Sequence, residues 1–390
     1  MEKAESILNK ILPQIAADLN YVNYKIQIDP ISSGGANYTS LLYNITIEEG
    51  PNAHHLFVKV AAIGDKMRNE NPKLYATEIF VYTKLMKIYE ALENKYNIPQ
   101  EHRLILSKFY GCNPTEYEET IVLENLVKKE FQSFNRFNSI TWEYAASAIR
   151  ELVKLHALSY AYSEYYPEEF DRVCRDRKVE FNVENGSMVT ADVAMTAKAL
   201  ELVHEEKREM LKKFFDKNGL KEVITAFQSF RKPVLVHGDY RPSNLMHRIQ
   251  DDGKIEIKIL DLQTMQASSP MLDLLYFIFT GSDGQFRAQY YEKLLDLYYT
   301  ELEEALKRFQ LDPEKVYSRA DFDQDWQEKL PLGLKISAFT LPFLTVSEED
   351  APKVNEDLEL SSFCMKNTSD RCAQLMNEVV NDYIKWGILQ

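Results

Sequence analysis

Cysteine is scarce in this sequence, which argues against a zinc-binding scaffold and against a disulfide-rich one. The chain has 4 cysteines among 390 residues, and no two of them form a C-x-x-C pair. Their spacing suits neither a zinc site nor a disulfide framework. Few scattered cysteines are typical of a reducing compartment, so we expect a cytoplasmic protein. The four are Cys112, Cys174, Cys364 and Cys372.

Long apolar runs are also missing. No stretch of about 18 uninterrupted apolar residues occurs, so no membrane-spanning helix is expected. Residues 1–19 carry charges throughout and an apolar residue every three or four positions. This pattern predicts an amphipathic helix and not a signal peptide. Internal repeats and low-complexity tracts are absent from the sequence as well.

Positive charge is in deficit, with 46 Lys and Arg against 60 Asp and Glu and a formal net charge of -14. An acidic surface repels phosphate backbones, so nucleic acid is not an expected partner. The charge would suit a cationic substrate, although solubility explains it equally well. No protein partner is evident, and a length of 390 residues predicts two or three packed units.

The first third of the chain is rich in predicted strands. Three runs of β-branched and aromatic residues are separated by Gly-containing turns, which predicts an antiparallel meander. A helix is expected over residues 73–96 from its apolar spacing, and two more strands follow. The five predicted strands cover residues 24–31, 38–48, 54–61, 104–110 and 120–123.

The remainder is mainly helical, with one β-rich interruption. Helices are predicted over 142–162, over 191–230 as more than one helix, and from 272 onward. The runs 233–237 and 255–260 read as strands flanking residues 238–248, which cannot be regular helix because of Gly and Pro. We therefore predict an α+β, bilobal, protein-kinase-like fold. Its small β-rich N-lobe with one major helix (1–125) binds nucleotide, and its larger α-rich C-lobe (126–390) binds the acceptor.

The segment V-L-V-H-G-D-Y-R-P-S-N-L-M carries the strongest chemical signal. Asp239 follows an apolar strand, and Asn244 lies five positions later, which is the D-x-x-x-x-N spacing of a kinase catalytic loop. In phosphoryl transfer such an Asp orients the acceptor hydroxyl, and the Asn is a magnesium ligand. Asp261 follows the next predicted strand, and a hairpin joining the two strands would bring it close to Asn244. Carboxylate and amide oxygens suit Mg²⁺.

The predicted N-lobe supplies candidates for binding ATP. Lys59 lies in the third strand within F-V-K-V, where kinases place a phosphate-binding lysine paired with a glutamate on the next helix. Glu78 is the natural partner on that helix, since the alternative, Glu70, precedes it. The remaining candidates lie in the first turn, where glycines let backbone N–H groups approach phosphate, and in V-L-E-N-L, whose backbone would bind adenine. They are Gly34, Gly35, Asn37, Ser40, Glu124 and Leu126.

Together these motifs resemble the ecdysteroid kinase-like family of invertebrates, within the aminoglycoside phosphotransferase and choline kinase-like group. The resemblance runs from the first glycine turn to the C-terminal helices. The family's G-x-N-Y-x-S, L-E-D-L, L-H-A, D-F-Q and P-x-x-D-L motifs resemble segments of this chain. These segments are residues 35–40, 123–126, 155–157, 261–263 and 270–274, beside the catalytic loop at 237–244.

The resemblance implies Asp239 as catalytic base, Asn244 and Asp261 as magnesium ligands and Lys59 as the phosphate-binding lysine. It also implies ATP-dependent phosphorylation of a hydroxyl on a lipophilic small molecule, with ecdysteroids the best-known substrates. Arg241 stands where the family usually has Trp, and Ser243 where Asn is common. Both positions lie on the acceptor side of the loop, so they leave the identity of the acceptor open.

Three rival functions remain to be separated: a protein kinase, a catalytically silent binding protein, and a kinase of a cationic amino alcohol or aminoglycoside. The first is disfavoured because only about ten residues separate Asp261 from the next helix, which leaves no room for an activation loop. Several further residues are expected to be structural. His237 holds its loop, His156 is a core histidine, and Asp273 caps its helix or braces the catalytic loop. A tyrosine cluster is assigned to packing, with an apolar acceptor pocket as the alternative; it comprises Tyr160, Tyr162, Tyr165 and Tyr166.

Overall fold

The computed structural model describes residues 2–35, 37–180, 186–365 and 367–390. Strands and helices are numbered separately in chain order. The strands are β1 Lys25–Ile31, β2 Ser40–Glu49, β3 Asn52–Ala61, β4 Phe109–Asn113, β5 Thr120–Glu124, β6 Gln132–Ser133, β7 Val234–Val236, β8 Leu245–Ile249, β9 Ile255–Ile259 and β10 Gln266–Ser268. The helices are α1 Glu2–Asp18, α2 Asp65–Arg68, α3 Leu74–Phe80, α4 Met86–Lys95, α5 Trp142–Tyr165, α6 Pro167–Asp176, α7 Ser187–Leu202, α8 Glu205–Lys217, α9 Leu220–Gln228, α10 Met271–Gly281, α11 Gly284–Arg308, α12 Pro313–Val316, α13 Arg319–Leu344 and α14 Asp370–Lys385.

The first five strands form one antiparallel sheet in the order β1-β2-β3-β5-β4. Alternate residues of the central strands face one side of the sheet, as strand geometry requires, and Ile45, Leu56 and Val58 are fully buried there. Helix α1 packs on the same cluster through Leu8 and Leu12. The predicted amphipathic helix and meander are confirmed.

The helix predicted over residues 73–96 is continuous but not uniformly α-helical. Helices α3 and α4 are joined by a π-helical turn, Val81–Leu85, which widens the helix locally. Tyr89 and Leu92 continue the buried side of this helix toward the core shared with α5. Glu78 lies in the last turn of α3, directly before the π-helical turn.

The strand predicted over residues 104–110 is wrong in its bounds. The ladder begins only at Phe109, and its register shifts between Phe109 and Gly111. The preceding segment begins with three apolar residues and buries Leu104, but two of its backbone groups have other partners. The N–H of Leu104 donates to the Glu93 carboxylate at 2.8 Å, and the carbonyl of Lys108 accepts from Glu124 N–H at 2.8 Å. A buried segment satisfied in this way does not need strand pairing.

The hairpin predicted between residues 233–237 and 255–260 is also wrong. Strand β7 pairs with β10, whereas β9 pairs with β8, which lies inside the segment expected to be a loop. The missed signal is a turn at residues 250–253, where Gly253 adopts φ 82° between two β-rich runs. The expectation that this segment is not regular helix is confirmed, and the structure adds a short 3₁₀ turn, Pro242–Asn244.

The C-terminal region is built around helix α5, which is capped by the Thr141 side chain accepting from Tyr144 N–H. Nearly every turn of α5 is buried, and it packs in the same cluster as α10 and α13. Helix α13 begins with a capping box between Ser318 and Asp321. The predicted helices over 142–162 and 191–230 are confirmed, the second as α7, α8 and α9.

The predicted α+β class, with a β-rich N-terminal region and a helical C-terminal region, is confirmed. The lobe boundary near residue 125 stays a prediction. Across the described ranges, none of the helices combines the length and the apolar character that crossing a membrane requires.

Gly333 marks the closest approach between α13, α10 and α14. A Cβ added there would lie 2.5 Å from both Phe279 Cε2 and the Tyr383 hydroxyl, and these two rings are buried. Ala favours a helix by about 1 kcal/mol over Gly, but overpacking costs about 1 to 3 kcal/mol. We predict that Gly333→Ala lowers the free energy of unfolding, measured by denaturant titration.

The control is Gly284→Ala at the start of α11, where the nearest atoms belong to the flexible Glu378 side chain at 3.3 Å. This variant is expected to change stability little. A stabilised Gly333→Ala protein would show that helix propensity outweighs packing at this crossing.

Candidate functional site

One buried carboxylate fixes the loop between β7 and β8. Asp273 on α10 accepts from the backbone N–H groups of His237 at 2.7 Å and Gly238 at 2.8 Å. His156 on α5 contacts the same carboxylate at 3.0 Å and the Tyr298 hydroxyl at 2.7 Å. Asp273 and His156 are fully buried. These contacts agree with Asp273 as a brace of the loop and His156 as a satisfied core histidine.

The turn at Gly238 has room only for glycine. Its φ is 84°, and an added Cβ would lie 2.5 Å from the Thr264 carbonyl oxygen. His237 Nε2 bonds the Leu260 carbonyl oxygen at 2.7 Å, so the loop is also attached to the end of β9. His237 is fully buried, which agrees with the structural role expected of it.

Asp239 is held from two directions. Asn244 Nδ2 donates to the Asp239 carbonyl and to its Oδ2, both at 2.9 Å. Arg241 Nε donates to Oδ1 at 3.1 Å and to Oδ2 at 3.0 Å, and its Nη1 donates to Ser243 Oγ at 2.8 Å. Burial raises the pKa of Asp239 above its usual value, although the Arg241 charge opposes this.

Asp261 lies two residues after the end of β9, in a left-handed conformation with φ 61° and ψ 54°. This conformation is costly for most residues, although Asp tolerates it better than most. Its Oδ1 lies 2.5 Å from Lys59 Nζ, and its Oδ2 accepts from Gln263 Nε2 at 3.2 Å. Burial raises the pKa of Asp261, but Lys59 outweighs this effect and holds the pKa below its usual value.

Lys59 joins the two regions of the chain. Its Nζ donates to Glu78 Oε2 at 2.7 Å as well as to Asp261, so the predicted Lys59–Glu78 pair is present in the structure. The Lys59 side chain is 10% exposed and that of Glu78 is 1% exposed. Burial lowers the pKa of Lys59, but the charges of Asp261 and Glu78 outweigh it, and the lysine stays protonated.

A cleft of about 330 Å³ lies beside this cluster. Its volume is that of a small-molecule site. Apolar residues of both regions form its walls, and Lys59, Glu78, Asn244 and Asp261 lie at its polar end. The walls include Leu42, Phe57, Leu123, Leu126, Met246 and Leu260.

The other predicted residues divide into two groups. Asn37, Glu124 and Leu126 line the cleft. Gly34, Gly35, Ser40 and Asp239 are not among the lining residues of the cleft.

The two glycines have φ 61° and 76°, so their turn needs glycine. Ser40 lies with Lys59 and Glu78 around a small neighbouring cavity, and Asp239 contacts the cleft through Asn244.

Sequence reasoning missed two polar contacts of the cleft. Asn125 Nδ2 donates to Asn44 Oδ1 at 2.9 Å, and its own Oδ1 caps the turn after β5 by accepting from Val127 N–H at 3.1 Å. Gln263 accepts from Thr39 Oγ1 at 3.1 Å and thereby connects the first turn to Asp261. Both contacts join residues more than 80 positions apart, so no local sequence pattern predicts them.

A larger cavity of about 830 Å³ lies elsewhere, between α5, the end of α11 and the β8–β9 hairpin. Its rim carries acids and bases in similar numbers, and none of the predicted site residues lines it. The tyrosine cluster also lies outside the cleft lining. Tyr160 and Tyr162 are fully buried, and Tyr165 stacks on Tyr96 at 4.7 Å between ring centroids, which agrees with packing.

The chemistry of the donor set fits a magnesium ion held jointly with phosphate. Asp261 supplies an ionised carboxylate, and Asn244 keeps its amide oxygen available because its Nδ2 is engaged by Asp239. Within the described ranges, no group of three His, Cys, Asp or Glu side chains is placed to hold a metal without further ligands. Mg²⁺ ordinarily takes one or two protein carboxylates and completes its shell with phosphate and water.

Comparisons with known proteins place these observations in context. A model of the ecdysteroid kinase-like family matches residues 34–311. No significant match is found among curated protein sequences.

Three solved structures are similar to the chain at low sequence identity. A crystal structure of aminoglycoside-3'-phosphotransferase of type VIII is 16% identical, over 83% of this chain and 99% of that one, with a TM-score of 0.35. A GDP complex of aminoglycoside 2'-phosphotransferase-IIIa is 9% identical, over 84% and 98%, with a TM-score of 0.40. A glucosamine kinase with glucosamine, ADP and inorganic phosphate is 12% identical, over 99% and 86%, with a TM-score of 0.38. No conclusion is drawn from likenesses at these TM-scores.

Asp273 is expected to contribute strongly to the stability of the folded protein. Asp273→Ala leaves two buried N–H groups without an acceptor and His156 without its carboxylate partner. Such losses cost about 3 kcal/mol or more. We predict that the free energy of unfolding, measured by denaturant titration, falls by about this amount.

Asp252→Ala is the control, because Asp252 lies in an exposed turn and pairs with the exposed Lys254. A change within about 0.5 kcal/mol is expected there. Equal stability of the two variants would contradict the role given to Asp273.

Proposed function

The chain belongs to the ecdysteroid kinase-like family, and on that premise we propose that it transfers the γ-phosphate of ATP to a hydroxyl of a lipophilic small molecule. Membership makes it a small-molecule kinase with an alcohol group as acceptor. The observation that supports phosphoryl transfer from ATP is that Lys59, Asp261 and Asn244 meet at one end of the cleft. Asn244 in turn bonds Asp239. These are the groups that phosphoryl transfer requires.

The nucleotide is proposed to enter the 330 Å³ cleft with its base between the apolar walls. The backbone of Glu124 and Leu126 lies at the cleft and would bind adenine, while Asn37 and the Gly34–Gly35 turn would cover the phosphates. Ser40 stands next to Lys59 and would support the same end. The proposed lobe boundary at residue 125 lies at the turn that the Asn125 side chain caps.

Lys59 is proposed to bind the phosphates, with Glu78 holding it in place. Asp261 is its second acidic partner, and Lys59 holds the pKa of that carboxyl below its usual value. Asp261 and Asn244 would hold Mg²⁺, which supplies charge neutralisation of the phosphates when bound. The ionised Asp261 carboxylate supports a cation at this end of the cleft.

Asp239 is the proposed catalytic base. Its carboxylate would accept a hydrogen bond from the acceptor hydroxyl and then take its proton as the oxygen attacks the γ-phosphorus. The bond from the γ-phosphorus to the bridging oxygen breaks in the same step, and ADP leaves. Arg241 and Asn244 hold both of its oxygens and therefore fix its orientation. Its side chain remains 25% exposed, so one side is open to an acceptor.

The acceptor is proposed to be a neutral lipophilic alcohol, ecdysteroid-like or xenobiotic. Aromatic rings surround the acceptor side, where Tyr38 packs edge-on against Phe343 and Phe363. The guanidinium of Arg241 contacts Asp239. The positive charges of Arg241 and Arg136 both act on the Tyr38 hydroxyl and lower its pKa. Arg241 is compensated by Asp239, so the positive charge of Arg136 is the one that disfavours the alternative of a cationic amino alcohol or aminoglycoside. We further propose a cytoplasmic location, which the free cysteines of the described chain support.

The base assignment predicts the behaviour of Asp239→Asn. Loss of a general base lowers turnover by about a hundredfold or more, whereas nucleotide binding depends on the other end of the cleft. Rates would be measured with Mg²⁺ and ATP across a panel of sterols and amino alcohols, and nucleotide affinity by titration.

Asp252→Asn serves as the matched control, since Asp252 is remote from the cleft. Unchanged turnover in Asp239→Asn would remove Asp239 from its role. Nucleotide binding without turnover in the wild type across the panel would favour a silent binding protein.

The acceptor class is predicted to be lipophilic. Wild-type enzyme and Asp239→Asn would be incubated with ATP and a lipid and steroid extract, with choline and kanamycin as separate arms. Mass spectrometry is expected to detect phosphorylated sterol-like products with the wild type alone. Phosphorylation confined to the choline or kanamycin arm would overturn the lipophilic assignment.

A further inference from the structure

Helix α10 lies alongside the catalytic loop and runs in the same direction. At its start, the Asp273 carboxylate accepts from the His237 N–H at 2.7 Å. At its end, a Cβ added to Gly281 would lie 2.6 Å from Pro242 Cγ, so the helix backbone lies directly against the loop. The middle of α10 is therefore level with residues 239–241, which include the proposed base.

One side of α10 faces this loop, because residues at spacings of three and four share a helix face. The members of this face are Asp273, Tyr276, Phe277, Thr280 and Gly281. Phe277 is fully buried, and its ring centroid lies 5.7 Å from that of Tyr240 in the loop. Thr280 Oγ1 donates to the Tyr276 carbonyl at 2.6 Å, so this hydroxyl is already bonded. Tyr276 is the remaining polar side chain of the face.

The Tyr276 side chain is partly exposed, and within the described residues its hydroxyl has no hydrogen-bond partner. Burial raises the pKa of this hydroxyl, the charge of Asp239 raises it further, and Arg241 opposes both effects. The hydroxyl therefore stays protonated and is able to donate. It also lies close enough to the proposed base for the two groups to act on one another.

Tyr38 is the other tyrosine on which the charges of Arg241 and Asp239 act, and it differs from Tyr276 in one respect. Its hydroxyl donates to the carbonyls of Gly35 and Phe343, and its side chain is buried. Tyr38 is thus engaged by the fold, whereas the Tyr276 hydroxyl is available to a ligand. Neither Tyr276 nor Asp239 lines the 330 Å³ cleft, so a nucleotide in the cleft is not the ligand that Tyr276 would bind.

The carboxylate of Asp239 has an open side toward such a ligand. Arg241 and Asn244 bond its oxygens, yet its side chain is 25% exposed. An alcohol that donates its proton to Asp239 keeps two lone pairs on its oxygen. One of them attacks the γ-phosphorus, and the other is free to accept a hydrogen bond.

We propose that Tyr276 is an acceptor-binding residue, whose hydroxyl donates a hydrogen bond to the alcohol oxygen that Asp239 deprotonates. This inference rests on the proposed function and adds a specific contact on the acceptor side. Two side chains then hold the attacking oxygen between them, one as acceptor and one as donor. The tyrosine ring offers an apolar face to the carbon skeleton of a lipophilic alcohol. A neutral phenol also binds an alcohol without requiring a charge on it.

The test compares Tyr276→Phe with the wild type, using the alcohol of the sterol and amino alcohol panel that the wild type phosphorylates fastest. The variant keeps the ring and loses only the donor. The KM for the alcohol is expected to rise about threefold to tenfold, as the loss of one neutral hydrogen bond implies. The kcat and the affinity for nucleotide should change less than about twofold, since the bond is made before transfer as well as during it.

Two controls separate a binding role from a structural one. Tyr290→Phe removes the hydroxyl of a partly buried tyrosine that stacks on Trp142 and does not line the cleft, and it should leave the KM unchanged. The second control is a competitive inhibitor in which hydrogen replaces the attacked hydroxyl of the alcohol. Its inhibition constant is expected to be equal for the wild type and Tyr276→Phe, because it offers no oxygen to bond. A distorted site would weaken the alcohol and the inhibitor alike.

The outcomes separate this inference from the proposed function. An unchanged KM in Tyr276→Phe, or equal weakening of alcohol and inhibitor, would remove Tyr276 from its role and leave the proposed function standing. A Tyr276→Phe protein that fails to fold would show that the hydroxyl serves the structure, which also overturns the inference. If the wild type phosphorylates none of the panel alcohols, the proposed function is overturned and the inference with it.

Discussion

The buried ion cluster of Lys59 is the interaction on which the rest of the site depends. One ammonium group bonds carboxylates from α3 and from the end of β9, and these two carboxylates are 183 positions apart in sequence, at Glu78 and Asp261. Removing Lys59 leaves buried acidic groups without their cation, which is strongly destabilising. The cluster therefore fixes the position of the N-terminal sheet against the catalytic loop. Burial raises the pKa of Glu78 above its usual value, whereas Lys59 holds the pKa of Asp261 below it, so Asp261 is the carboxylate of the cluster that suits a further cation.

A second buried carboxylate organises the loop that the first cluster faces. Asp273 bonds two successive N–H groups at His237 and Gly238, and His156 holds it from below. This arrangement uses α10 and α5, the most buried helices, as the rigid support of a segment that is otherwise irregular. The side chains proposed to perform chemistry thus lie on backbone whose position is set by the core. The two carboxylates have different functions: Asp273 positions the loop, and Asp261 lies at the cleft.

The parts of this arrangement that sequence reasoning found are those with a local signature. Lys59 stands in an alternating strand, Glu78 in the next helix, and Asp239 and Asn244 at a fixed spacing, so each could be assigned within a window of a few residues. The errors arose where a partner lies far away. The pairing of β7 with β10 and the contact between Thr39 and Gln263 depend on the three-dimensional path of the chain, and no periodicity encodes that path. The prediction of a strand over 104–110 was wrong for a related reason. Apolar spacing indicates burial, but it does not show which groups form the hydrogen bonds of the buried backbone.

The distribution of charge on the acceptor side bears on what the enzyme accepts. The chain as a whole carries a net charge of -14, yet the guanidinium charges that act on the Tyr38 hydroxyl and lower its pKa are those of Arg136 and Arg241. Arg241 is compensated by Asp239, whereas Arg136 donates hydrogen bonds to backbone carbonyl oxygens. An approaching cation would meet this positive charge at short range, where it outweighs the screened charge of the distant surface. A neutral alcohol meets no such barrier. Local charge, and not net charge, therefore supports the proposed uncharged acceptor.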